Sequence, residues 1–118
     1  MSALASAKRF LTLLPQAYDP SKSKGLEASI QFEFTGAQPE NWYLKISDDT
    51  CELIEGSIEA PTISVQVDPK IFMDIQDGKM MANMAVSRSK MRLSGDLNLA
   101  FQLVNYFKLP NQKTLKLL

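Results

Sequence analysis

Residues 97–107 constrain the fold of this chain more than any other stretch. They follow Lys90-Met91-Arg92-Leu93-Ser94-Gly95-Asp96 and are apolar apart from Asn98, Gln102 and Asn105. Wound as a helix, the segment places those three residues on one narrow stripe, leaving Leu97, Leu99, Ala100, Phe101, Leu103, Val104, Tyr106 and Phe107 to cover the rest of the circumference. A surface helix buries a single stripe. This one asks for apolar neighbours on several sides, either by lying sandwiched in a core or by bordering a greasy cavity.

At 118 residues, 45% of them hydrophobic and 22% charged, the chain is expected to form one globular domain, residues 1–118. Lys+Arg and Asp+Glu both number 13, so the basic excess with which nucleic-acid binders displace counterions is missing, and nucleic acid is not an expected partner. The single cysteine, Cys51, allows no intrachain disulfide, and the N-terminus lacks a secretory apolar core, so a reducing, cytoplasmic location is expected. No run of about 18 apolar residues exists to cross a bilayer. The ending Lys116-Leu117-Leu118 is not a peroxisomal address of the Ser-Lys-Leu type.

Ser2 can cap a first helix whose stripe is Leu4, Ala7, Leu11 and Leu14, with Pro15 expected to stop it. Strict alternation follows. Ile30, Phe32 and Phe34 face one way and Ser29, Gln31 and Glu33 the other, closed by Thr35-Gly36. Trp42, Leu44 and Ile46 repeat the pattern, and residues 47–50 turn the chain into a third strand from Cys51 to Ile54, giving a meander. Ile63, Val65 and Val67 make a fourth strand. Asp68-Pro69 then starts a helix with Ile71, Phe72 and Ile75 buried, ended by a left-handed Gly78. A second helical piece is expected over residues 80–86. Arg88, Lys90 and Arg92, at period two, read as one face of a basic strand. This order predicts an α+β fold, a mostly antiparallel sheet with helices over one face.

Little here supports catalysis. Histidine is absent, so no Ser-His or Cys-His pair can form. Asp48-Asp49 read as a turn, and Asp74 and Asp77 as the flank of a helix. Cys51 has Glu52 beside it and no local cation, the setting of a structural thiol. No active site, metal set or cofactor motif is read, and the chain is not expected to be an enzyme.

Methionine stands out instead. Met73, Met80, Met81, Met84 and Met91, five of the six, lie within 19 residues, and methionine suits surfaces that mould to variable apolar partners. These residues precede the segment that is apolar nearly all round. Both features are explained if the helical pieces and the inner sheet face enclose a lipid-sized tunnel. Its expected walls are Phe32, Phe34, Trp42, Leu44 and Ile46 from the sheet, and Met73, Ile75, Met80, Met84, Leu99, Phe101, Leu103 and Phe107 from the helices. Gln102, on the polar stripe, and Arg88, Lys90 and Arg92 are the candidates for contact with a head group or an anionic membrane. The apolar tail of Leu115, Leu117 and Leu118 either folds back over the opening or frays. The rival reading is an accessory module whose apolar surface packs on a partner enzyme or a second copy, presenting lipid or carrying none.

The chain resembles the sterol carrier protein 2 (SCP-2) domain family. The resemblance rests on Pro15-x-x-Tyr18-Asp19-Pro20, Gly25-Leu26-x-Ala28-x-Ile30-Gln31-Phe32, Asn41-Trp42-Tyr43 and Phe72-x-x-Ile75-x-x-Gly78-Lys79-Met80. Its strongest part is Lys90-Met91-Arg92-Leu93-x-Gly95-Asp96-x-x-Leu99-Ala100-x-x-Leu103, and the resemblance covers nearly the whole chain, from about Leu11 to Phe107, in the family's order. The resemblance implies a five-stranded sheet with helices on one face, a hydrophobic tunnel, and non-catalytic lipid binding and transport. Expected ligands are a fatty acid, acyl-CoA, a sterol-like molecule or a quinone. Ser89 stands where the family often has glycine, and Met81-Ala82 where it often has Asn-Pro; both flank the expected tunnel.

Overall fold

The computed structural model describes residues 2–110 and 114–118. Helix α1 (Ala3–Ala17) is capped by Ser2, whose hydroxyl accepts from the Ala5 N–H at 3.1 Å, and it buries Ala7, Phe10, Leu11 and Leu14. Pro15 does not stop it. The proline sits in the last turn, where its missing N–H removes one terminal bond, and the helix runs on to Ala17.

Strands β1 (Ala28–Phe34), β2 (Glu40–Ser47) and β3 (Thr50–Glu55) form the expected antiparallel meander. Asp48 and Asp49, both left-handed at φ 53° and 62°, make the tight turn between the last two. Strand β4 (Ile63–Val67) pairs parallel to β1, and β5 (Met91–Gly95) antiparallel to β4. The sheet order is β3-β2-β1-β4-β5, mixed and mostly antiparallel within an α+β fold.

The parallel pairing requires the chain to return across the sheet, and residues 56–62 do so over the face that carries Gln31. Alternation predicts Gln31 on solvent, yet the crossing buries it. Its Nε2 donates to the carbonyls of Trp42 and Gly56 at 3.0 and 3.1 Å, and its Oε1 accepts from the Ile58 N–H at 2.8 Å. One glutamine thereby bonds Gly56 and Ile58 of the crossing to Trp42 of β2 through three backbone groups.

Helix α2 (Pro69–Gln76) starts at Asp68, which accepts from the Lys70 N–H at 2.8 Å, and the chain reverses at Gly78, φ 78°. Helix α3 (Ala82–Ser87) and helix α4 (Leu97–Gln102) complete the set, α4 capped by Asp96 through the Leu99 N–H. In the core, Phe72 stands edge-on to Phe10, Phe32 and Phe34 with ring centroids 5.7, 5.8 and 5.5 Å away.

Two expectations are corrected here. Residues 97–107 are not one helix: α4 gives way to a 3₁₀ turn, Leu103–Asn105, and Phe107 forms an isolated antiparallel bridge with Tyr18. The segment buries Leu99, Ala100, Leu103 and Phe107 and leaves Leu97, Phe101 and Val104 exposed, so it is amphipathic after all. Nor do the three basic residues share a strand face. Arg88 is the C-cap of α3, Ser89 turns left-handed at φ 58°, and Lys90 precedes the strand, so only Arg92 lies on β5.

Candidate functional site

An apolar cavity opens where the end of α2 meets α3 and α4. Left-handed Gly78 reverses the chain, and the N–H groups of Lys79 and Met80 both return to the Asp74 carbonyl, at 2.8 and 3.2 Å. That turn carries Met80 and Met81 back over the end of α2, where Ile75 forms the floor. Phe101 of α4 and the C-terminal Lys116 and Leu118 close the other side of a space of about 440 Å³. Among the described residues, Lys116 carries the one charged side chain in the lining. Met81 is 63% exposed and Phe101 66%, so large apolar side chains stand at the mouth without cover.

Of the expected walls, the structure brings Ile75, Met80 and Phe101 together here. Phe32, Phe34, Leu44 and Ile46 are fully buried, the two phenylalanines against Phe72. Leu99, Leu103 and Phe107 are buried as well, Phe107 with its ring centroid 5.5 Å from that of Tyr18. Met73 is partly buried against the core, and Met84 lies exposed on α3. Trp42 is half-buried away from the cavity; its indole N–H donates to Glu40 Oε1 at 2.9 Å, and Lys8 Nζ stands 5.7 Å from its ring. The bonds from Trp42 and then Lys8 hold the Glu40 carboxyl below the usual range. Gln102 lies on the surface and accepts from the Tyr106 hydroxyl at 2.9 Å, while Arg88, Lys90 and Arg92 are all exposed.

A second cavity, about 510 Å³, lies at the other end of the segment that follows α4. Val104, Asn105, Phe107, Lys108 and Leu109 line it with Lys22 and Thr114. Between the two cavities passes the C-terminal segment. Leu115 and Leu117 are fully buried, and the buried side chain of Gln76 grips Lys116 at both backbone groups. Gln76, Lys116 and the lysines of the second cavity escaped the sequence reading; the apolar rhythm of Leu115 and Leu117 was the available signal. Cys51 is a buried thiol that burial, and then the charge of Glu52, push up to about 12. Among the described residues, no helix is long and apolar enough to cross a membrane.

Residues 7–108 match the model of the SCP-2 sterol transfer family. A search of curated proteins gave no match. Among solved structures, the chain is similar to Sterol Carrier Protein 2 Like 2 from Aedes aegypti, at 20% identity and a TM-score of 0.71, over 86% of this chain and 93% of that one. It is similar to Sterol Carrier Protein-2 from Aedes aegypti in complex with the C16 fatty acid palmitate, at 26% identity and a TM-score of 0.57, over 82% of each chain. It is also similar to part of the inverting sec-alkylsulfatase Pisa1 from Pseudomonas sp., at 17% identity and a TM-score of 0.71, over 83% of this chain and 16% of the sulfatase.

Proposed function

Since this chain belongs to the SCP-2 sterol transfer family, we propose that it is a non-catalytic carrier that binds a single-chain lipid in the cavity beside Met80, Met81 and Phe101 and transfers it between membranes. The observation that carries this reading is the cavity itself: about 440 Å³, lined by apolar side chains except for Gly78, Asn83 and Lys116, with Met81 and Phe101 exposed at its mouth. An acyl chain of about 16 carbons gains on the order of 12 kcal/mol gross by leaving water, which chain ordering and association reduce to roughly micromolar affinity. A relative in complex with palmitate makes a fatty acid the first ligand to test. The absence of histidine argues against acid–base chemistry in this sequence. Exposed Arg88, Lys90 and Arg92 supply charge for brief contact with an anionic bilayer, about 1 kcal/mol each at low salt.

A second reading is favoured by the exposure of Phe101 and Met81 and by the same fold occurring as 16% of a longer sulfatase chain. There the apolar rim docks on a partner enzyme or a second copy. Native mass spectrometry of protein purified without detergent, followed by organic extraction, separates the two. A carrier retains one lipid per chain and runs as a monomer, whereas the mass of a docking module, with lipid or without, reports a dimer or a co-purified protein.

A further inference from the structure

The C-terminal segment runs from one cavity to the other. Thr114 lines the cavity of Lys22 and Lys108, while Lys116 and Leu118 line the apolar one. A second stretch makes the same passage: Phe101 lines the apolar cavity, Leu103 is buried between, and Val104 and Asn105 line the basic one. Two stretches of chain thus lead from one cavity to the other, with Leu115 and Leu117 buried along the way. Leu115 at 0% and Leu117 at 1% exposure point into the interior as an apolar rod. What holds the rod is not a helix or a named strand. Gln76, 2% exposed, donates its Nε2 to the Lys116 carbonyl at 2.8 Å and accepts the Lys116 N–H on Oε1 at 2.9 Å. Apart from that grip, Thr114 Oγ1 donates to the Val104 carbonyl at 2.6 Å. A chain end held by these bonds and by the packing of its two leucines leaves only by exposing Leu115 and Leu117, a cost that an incoming apolar chain offsets by taking their place.

On the carrier reading above, we infer that residues 115–118 occupy the chain-binding track as an internal stand-in for the ligand, and that the ligand is an amphiphile with an anionic head group, its head between Lys22 and Lys108 and its chain replacing Leu115 and Leu117. Gln76 is the latch. It reads backbone, not side chains, so it fixes the register of the segment while Leu115 and Leu117 pack into the core. The basic cavity also lies near Asp19, whose carboxyl is held low first by its bond to Ser21 and then by Lys108 and Lys22. Among the described residues, the lining of this cavity holds two lysines and no carboxylate. Ligand affinity is reduced by the fraction of molecules whose track is filled, so unlatching the segment raises affinity without adding a contact.

The experiment titrates a fluorescent fatty acid, and its uncharged alcohol analogue, into the full chain, a chain ending at Thr114, the Gln76→Leu variant and the Lys22→Gln, Lys108→Gln double variant. The truncated chain and Gln76→Leu are expected to bind the acid about tenfold tighter or more than the full chain. A peptide of residues 114–118 added to the truncated chain should compete with the acid. The double lysine variant should lose affinity for the acid and keep it for the alcohol. Gln76→Leu preserves the tail, so it reads the latch even if truncation impairs folding. Binding by the full chain with no tightening in either unlatched variant overturns the stand-in, and equal effects on acid and alcohol overturn the head-group site. Absence of binding in every form overturns the carrier reading and this inference with it.

Discussion

Gly95 lies so close to Thr62 that a Cβ on it would collide with the Thr62 carbonyl oxygen and stand 3.1 Å from Ile63 Cα, while the next residue, Asp96, donates its N–H to that same oxygen at 2.9 Å. Glycine at φ 102° lets β5 approach β4 and release the chain into α4 within two residues. Asp96 then caps α4, which carries Phe101 to the apolar cavity. The Gly95→Ala variant should lose about 2–4 kcal/mol, from backbone strain and a collision with an atom that cannot rotate away. Urea unfolding monitored by circular dichroism measures it, and a midpoint equal to wild type would show that the strand pair yields freely.

Ser89 predicts the opposite sign. It is left-handed at φ 58° just after the C-cap of α3, and the Lys90 N–H returns to the Ala85 carbonyl at 2.8 Å, the arrangement in which glycine is favoured. Ser89→Gly should stabilise the protein by roughly 0.5–1 kcal/mol, because the strain on the serine Cβ exceeds the added freedom of glycine in the unfolded chain. A fall in the urea midpoint would contradict this.

Alkaline pH should reveal Cys51. Burial, and then the charge of Glu52, raise its thiol to about 12, so the folded state holds the proton more tightly than the unfolded chain does. The linked stability is complete below the ordinary thiol range and is lost as pH rises from about 9 to about 12. The urea midpoint of wild type should therefore fall more steeply over that window than the midpoint of Cys51→Ala. Parallel pH profiles for the two proteins would remove the thiol from the account.

What was legible in the sequence was local. Alternation in Ile30, Phe32 and Phe34 fixed which side faces the core, and Asp68-Pro69 and Gly78 bounded α2, because each signal acts within a few residues. The parallel pairing of β1 with β4 was not legible, since it depends on a crossing whose anchor, Gln31, reads as an ordinary outward residue. Residues 97–107 misled for a related reason. Apolar character does not say which apolar groups find neighbours, and Leu97, Phe101 and Val104 find few. The basic triplet kept its period of two in sequence and lost it in space at left-handed Ser89. In the site, Ile75, Met80 and Phe101 were legible as apolar residues flanking the cavity, whereas the embrace of Lys116 by Gln76 joins positions 40 residues apart.

The central claim is that the cavity beside Met80 and Ile75 takes the lipid chain, and charging its mouth tests it most directly. Met81 and Phe101 are 63% and 66% exposed, so Met81→Glu with Phe101→Glu should shift folding stability by only about 0.5 kcal/mol each. A carboxylate at the rim of an apolar space keeps water in the path of the chain and raises the cost of burying the chain beside it. Palmitate titrated by isothermal calorimetry should bind wild type near one per chain and the double variant at least about tenfold more weakly, a loss of roughly 1.4 kcal/mol or more. Undiminished palmitate affinity in a folded double variant would contradict the assignment.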